Sequence, residues 1–145
     1  MVNRVQILQK LAIVCNKKAL TLRRSPSDKS RPGTWDFVGG NVDDEDVSSS
    51  VDDILISALK REIREEAGLD VGNRKTQIVY IDSGYTPEGH LVMWIGYKID
   101  FDTEPNIILS HEHTELKWAT KDEFLKLDFG YARPSMIGQI NAIWP

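Results

Sequence analysis

The stretch from Ser50 to Gly68 constrains this chain more than any other. Leu55, Leu59, Ile63 and Ala67 recur every fourth residue, which is the spacing of one face of an α-helix. Ser50 with Asp53 three residues on reads as a capping box at the start. Gly68 suits the left-handed residue that ends a helix. The spacing therefore predicts a helix from Ser50 to Ala67. Strand-like segments lie on both sides of it: Val5–Val14, Ala19–Leu22, Trp35–Val38, Gln77–Asp82, Leu91–Ile99 and Leu116–Ala119. Asn16-Lys17-Lys18 is the expected turn between the first two. Thr120 is placed to cap a short helix to Leu127, and Pro134–Ile143 reads as a terminal helix with proline in its first turn. The expected fold class is α/β, in a single domain spanning residues 1–145.

The central helix is also where the chemistry is expected. At about 100° per residue, Glu62 and Glu66 fall about 20° to either side of Leu55, and Glu65 lies one step beyond Glu62. Three carboxylates thus gather at the edge of the buried stripe, while Lys60 and Arg64 point elsewhere. A solvent-facing, salt-bridged helix would place its acids opposite the apolar row. Crowded, partly buried carboxylates raise one another's pKa, and a hard divalent cation removes that penalty. Mg²⁺ or Mn²⁺ suits a set of oxygen donors. His111 and His113 form an H-x-H pair, but no third ligand at zinc spacing accompanies them.

Composition narrows the alternatives. At 145 residues with 41% hydrophobic and 28% charged content, the chain is neither disordered, collagenous nor a coiled coil. No apolar run approaches the roughly 20 residues of a membrane span, so no membrane partner is expected. The N-terminal run is broken by Arg4, Gln6, Gln9 and Lys10, and reads as a strand rather than a signal peptide. A net charge of −4 argues against a specific or non-specific nucleic-acid partner. The single cysteine, Cys15, precludes an internal disulfide and fits a reducing, cytoplasmic setting.

Arg61-Glu62-Ile63-Arg64-Glu65-Glu66-Ala67-Gly68-Leu69 resembles the signature of the Nudix hydrolase family (MutT-like), G-x5-E-x7-R-E-U-x-E-E-x-G-U, where U is bulky and aliphatic. The second half of that pattern is matched at nine consecutive positions, and Trp35-Asp36-Phe37-Val38-Gly39-Gly40 is similar to the strand and glycine turn before it. The first half departs: twenty residues separate Gly40 from Arg61 where the family has thirteen. Counted back from Arg61, the family's first glutamate falls on Asp53, and the seven extra residues are expected within a loop at 41–50.

The resemblance implies a Nudix fold, an α/β/α sandwich with a mixed central sheet. It implies hydrolysis of the pyrophosphate bond in a nucleoside diphosphate linked to another group, of the nucleotide-pool-sanitising or the ADP-ribose and nucleotide-sugar type. The alternative is a nucleotide-binding or regulatory module without turnover. Glu62, Glu65 and Glu66 would hold Mg²⁺ or Mn²⁺, joined by a glycine carbonyl, with Gly40 taken as the ligand and Gly39 as a point of close substrate approach. Arg61 would orient one of the acids. A further acid from a distant loop is expected at Glu112, with Glu115 second. Arg24 and Arg31, in a basic loop with Arg23 and Lys29, are candidates for phosphate. Trp35 is the candidate for stacking a base, with Tyr85 and Trp94 behind it. Many members of the family form homodimers, and no interface is marked in this sequence.

Overall fold

The structure, a computed structural model, describes residues 4–49, 53–130 and 134–145. β1 (Val5–Cys15) and β2 (Lys18–Arg24) form a hairpin. Asn16 and Lys17 both take positive φ, 50° and 59°, as a two-residue turn does when it follows the right-handed twist of its strands. The turn therefore closes one residue sooner than expected, and Lys18 already belongs to β2. β3 is only Trp35–Asp36. The acidic stretch expected as a loop contains α1 (Asp44–Ser49), with Asp44, Glu45 and Asp46 in its first turn. Acids there complement the positive end of a helix.

α2 (Ile54–Ala67) begins later than the expected Ser50, which lies outside the described residues. Asp53 alone is the N-cap: its carboxylate accepts the N–H groups of Leu55 and Ile56, two of the donors a helix start leaves orphaned. Gly68 closes the helix at φ 61°, as expected. A second hairpin follows, β4 (Gln77–Tyr85) and β5 (Leu91–Phe101). Then come β6 (His113–Ala119), α3 (Lys121–Leu125) and α4 (Pro134–Ile143). Thr120 caps α3 through a reciprocal bond with Glu123.

The sheet order is β3-β2-β1-β5-β4, with β6 on the other edge of β2. β1 and β5 are parallel and the remaining pairs antiparallel, so the sheet is mixed. β1 is covered on both faces, which is why Leu11–Cys15 runs as consecutive buried apolar residues. Leu11 and Ile13 meet Leu59, Ile63 and Ala67 of α2 on one face. Ala12 and Val14 join Phe37, Phe124, Phe129 and Ile143 on the other, beneath α3 and α4. The layers are α/β/α, as the resemblance implied. Among the described residues no helix is long and apolar enough to cross a membrane.

One irregularity positions the site. β1 pairs with β2 through Val14 and Cys15, and behind that point the strands part. Backbone 38–41 lies along β1 there, bridging Leu11 to Val38 and Leu8 to Asn41. Gln9, 1% exposed, ties this region to α2. Its Nε2 donates to the Leu55 carbonyl at 2.9 Å, and its Oε1 accepts the Tyr97 hydroxyl at 2.6 Å. Tyr97→Phe leaves that buried oxygen one donor short. The expected loss is about 1–3 kcal/mol in urea unfolding, the cost of an unsatisfied buried polar group.

Candidate active site

A cleft of about 810 Å³ opens where β1 and β2 part. α2 supplies one wall, the 24–31 segment another, and the turn at 111–113 a third. Of the residues singled out from sequence, Arg24, Arg31, Gly39, Gly40, Arg61, Glu62, Glu65, Glu66 and Glu112 all line it. Trp35 does not. Successive strand residues point to opposite faces, and on β3 it is Asp36 that turns toward Lys10. Trp35 turns to the aromatic cluster beneath α3 and α4 instead. Tyr85 and Trp94 are also absent from the lining, and Glu115 pairs with Arg23 at 3.0 Å outside it.

The glycine pair sets the floor. Gly39 has φ +138°, and a Cβ there would stand 2.1 Å from the Gln9 carbonyl oxygen. At Gly40 a Cβ would stand 2.6 Å from Glu62 Oε1. Gly39 is thus required for the backbone to pass against β1, while a side chain at Gly40 would displace the Glu62 carboxylate. The Gly39 N–H donates to Glu66 Oε2 at 3.3 Å. The Gly40 carbonyl accepts from the Gln9 N–H and the Gly39 carbonyl from Lys10 Nζ, so each has one lone pair left for another partner.

The three acids are not equivalent. Glu66 is 7% exposed, Glu62 is largely buried and Glu65 is open to solvent. Burial pushes the Glu66 carboxyl up to about 8; Lys10 opposes this and Glu62 adds to it. Burial also raises Glu62, against the pull of Arg61, with Glu65 a lesser contributor. The upward direction agrees with the expectation of crowded acids, but desolvation, not mutual repulsion, is the larger cause.

Arg61 binds Glu62 Oε1 at 3.0 Å and Glu65 Oε2 at 3.1 Å. Its main anchor is one the sequence reading did not name. Asp46, 4% exposed, accepts Nε at 2.8 Å and Nη2 at 2.9 Å in a two-pronged bond. Asp53 has the capping role only. Read forward from Gly40, the family spacing lands on Asp46, six residues on. Counted this way, the extra residues fall between Asp46 and Arg61, a stretch that overlaps the expected 41–50 at positions 47–50.

The facing wall is cationic. Arg24 bonds Asp28 at 2.7 Å, and Asp28 also accepts the Ser30 and Arg31 N–H groups, which folds the basic loop into a fixed turn. Glu112 is brought to the cleft by its carbonyl, which accepts the Ser25 N–H. The start of that loop is tied to α2, where the Ile108 N–H donates to Ala67 and the Ser110 N–H to Glu66. His113 is 8% exposed, and burial holds its imidazole below the ordinary range, hence neutral at pH 7. Among the described residues, its Nδ1 and Arg24 Nε are buried side-chain atoms without a hydrogen-bond partner.

Among the described residues no three His, Cys, Asp or Glu side chains converge on one metal position. Arg61 draws Glu62 and Glu65 toward itself while Glu66 turns to Gly39. The donors nonetheless fit Mg²⁺ or Mn²⁺. They are all oxygen, they include two desolvated carboxylates, and Mg²⁺ is typically held by one or two carboxylates plus substrate phosphates. Among the described residues, His111 and His113 belong to no group of three or more His, Cys, Asp or Glu side chains that could hold a metal ion.

A carboxyl held near 8 favours the proton in the folded state. The metal-free protein therefore loses stability as pH rises from the ordinary glutamate range through about 8. Glu66→Gln removes that loss. The variant is expected to melt several degrees above wild type at pH 8 in chelator, with the difference gone by pH 5, as thermal melts across that range would record.

The NUDIX domain family matches residues 9–137. No curated protein matches the chain. Among solved structures it is similar to a MutT protein from Bacillus halodurans, at 25% identity over 97% of this chain and 83% of that one, with a TM-score of 0.68. It is also similar in fold to an Ap4A hydrolase from C. elegans, at 20% identity over 92% and 91%, TM-score 0.59. A third is the NUDIX domain of Shewanella oneidensis NrtR, complexed with ADP ribose, at 13% identity over 98% and 88%, TM-score 0.69. With the family match covering most of the chain and the glycine pair set against the acids of α2, the chain belongs to the Nudix hydrolase family.

Proposed function

We propose that the protein hydrolyses the pyrophosphate bond of a nucleoside diphosphate linked to another group, with a divalent cation as cofactor. The observation that carries this reading is the desolvation of Glu66 and Glu62 against the glycine pair, on the floor of a cleft whose facing wall is cationic. Glu62, Glu65 and Glu66 are the side chains that would hold Mg²⁺ or Mn²⁺, with the Gly40 carbonyl a neutral oxygen beside them. Such an ion, when bound, neutralises phosphate charge and makes water a better nucleophile.

The chain's own residues supply position and charge, which phosphoryl transfer mainly needs. Arg61, fixed by Asp46, holds Glu62 and Glu65 in orientation. Arg24 and Arg31 face the anionic end of the substrate from the opposite wall. The flat backbone at Gly39 lets the substrate approach closely. Glu112, at the cleft and away from α2, is the candidate to take a proton from the attacking water.

The substrate panel is set by chemistry and by relatives: nucleoside triphosphates with oxidised bases, nucleotide sugars, dinucleoside polyphosphates after the C. elegans hydrolase, and ADP-ribose after the NrtR domain. Phosphate and AMP release with Mg²⁺ or Mn²⁺ is expected for one class. Glu66→Gln is expected to lower it by about 100-fold or more, the scale of removing one electrostatic stabiliser. Retained activity in that variant would remove the metal assignment. A folded, metal-binding protein inactive on the whole panel would instead support a nucleotide-binding module without turnover.

The distant acid has its own check. Glu112→Gln is expected to slow turnover by about 100-fold, the lower end for general base catalysis. Glu115→Gln is expected to leave the rate nearly unchanged, because its carboxylate is engaged by Arg23 outside the cleft.

A further inference from the structure

Asp36 is the most unusual charge in the molecule. It is 1% exposed, on the short strand β3, and one of its oxygens, Oδ2, accepts from three cations: Lys10 at 2.8 Å, Arg31 at 3.0 Å and Arg24 at 3.2 Å. Its other oxygen accepts the Phe37 N–H at 2.9 Å. One cation would neutralise a buried carboxylate. Three brought to a single oxygen repel one another; counted with Asp28, which pairs with Arg24 at 2.7 Å, the group keeps one net positive charge. Burial alone would raise the Asp36 pKa; the cations outweigh it and hold it below the ordinary range, so the charge persists at neutral pH.

All three cations line the cleft, each about one-fifth exposed or less. They come from separate elements: Lys10 from β1, Arg24 from the end of β2 and Arg31 from the loop that follows. Arg31 is also fixed by the Phe129 carbonyl at 3.1 Å. Lys10 reaches the Gly39 carbonyl at 3.1 Å, and the Gly39 N–H meets Glu66. The cationic group therefore abuts the acidic wall through one residue. Arg24 Nε, buried in the same place, has no hydrogen-bond partner among the described residues.

We infer that Asp36 is a positioning residue that gathers Lys10, Arg24 and Arg31 into one phosphate-binding face, opposite the carboxylates of α2. The inference rests on the cleft being the nucleotide site and adds Lys10 and Asp36 to its working parts. A net positive group held a short distance from the acids matches a substrate with linked phosphate groups. One end of such a substrate meets the α2 side and the other meets this face. Asp36 does not touch the substrate; it keeps mutually repelling cations from swinging apart.

The test is calorimetric titration of inorganic pyrophosphate into the full chain in EDTA, well below each variant's melting temperature. No metal is present, so the result is independent of turnover and of the metal reading. Wild type is expected to bind. Asp36→Asn, nearly identical in size, is expected to bind about tenfold more weakly, the scale of losing one charge-assisted hydrogen bond. Removing a negative charge through long-range attraction alone would tighten anion binding, so the sign of the change is decisive. Equal or tighter binding by folded Asp36→Asn overturns the inference, as does absence of wild-type binding at millimolar pyrophosphate. Should Asp36→Asn fail to melt cooperatively, Arg31→Gln decides. It is expected to weaken binding about fivefold and to flatten the dependence of affinity on salt, and unchanged affinity and salt dependence overturn the proposal.

Discussion

Backbone 38–41 passes between β1 and α2 with no room for a side chain at Gly39 and only the space held by the Glu62 carboxylate at Gly40. Much of the site depends on this close approach. The Gln9 carbonyl on one side and the Glu62 carboxylate on the other stand where ordinary Cβ atoms would go. Because the backbone comes so near, its own N–H at Gly39 reaches Glu66, and its carbonyl reaches Lys10. The same passage exists because β1 and β2 separate after two paired residues, leaving an opening that becomes the cleft.

Charge is arranged across that opening in two opposed groups. The acids of α2 are desolvated by the core they border, and their proton affinity rises. The cations of the other wall are gathered on a buried aspartate, whose own proton affinity falls. Each group is costly in isolation, since burying charge in a medium of low dielectric is unfavourable. An anion lying between the walls, with its counter-ion, relieves both.

Arg61 shows how local and distant constraints meet. It is one turn from Glu65, so helix geometry brings that pair together, while the bond to the adjacent Glu62 depends on the reach of the two side chains. What fixes it is Asp46, on a separate six-residue helix that the sequence pattern did not reveal. Six residues carry too little periodicity to be distinguished from an acidic loop. The helix becomes legible only through its partner.

Much of the fold could be read from the chain because its signals are local. Apolar periodicity marked α2, Gly68 marked its end, and breakers marked the turns. The gradient of burial from Glu66 through Glu62 to Glu65 follows from their angles around one helix. The glycine pair and the acids were likewise legible, since close approach and oxygen donors depend on residue type. Trp35, Asp36, Lys10 and Asp46 were not legible in the same way. On a strand of two residues nothing in the sequence says which face is inward, so Trp35 reads as the stacking candidate although it is Asp36 that meets the cations of the cleft. The sequence by itself determined the elements other than α1, the acidic stripe and the glycine backbone beside it. Only the tertiary structure decided which charges meet, because Asp36 joins residues from three separate segments, and contacts of that kind leave no periodicity in the chain.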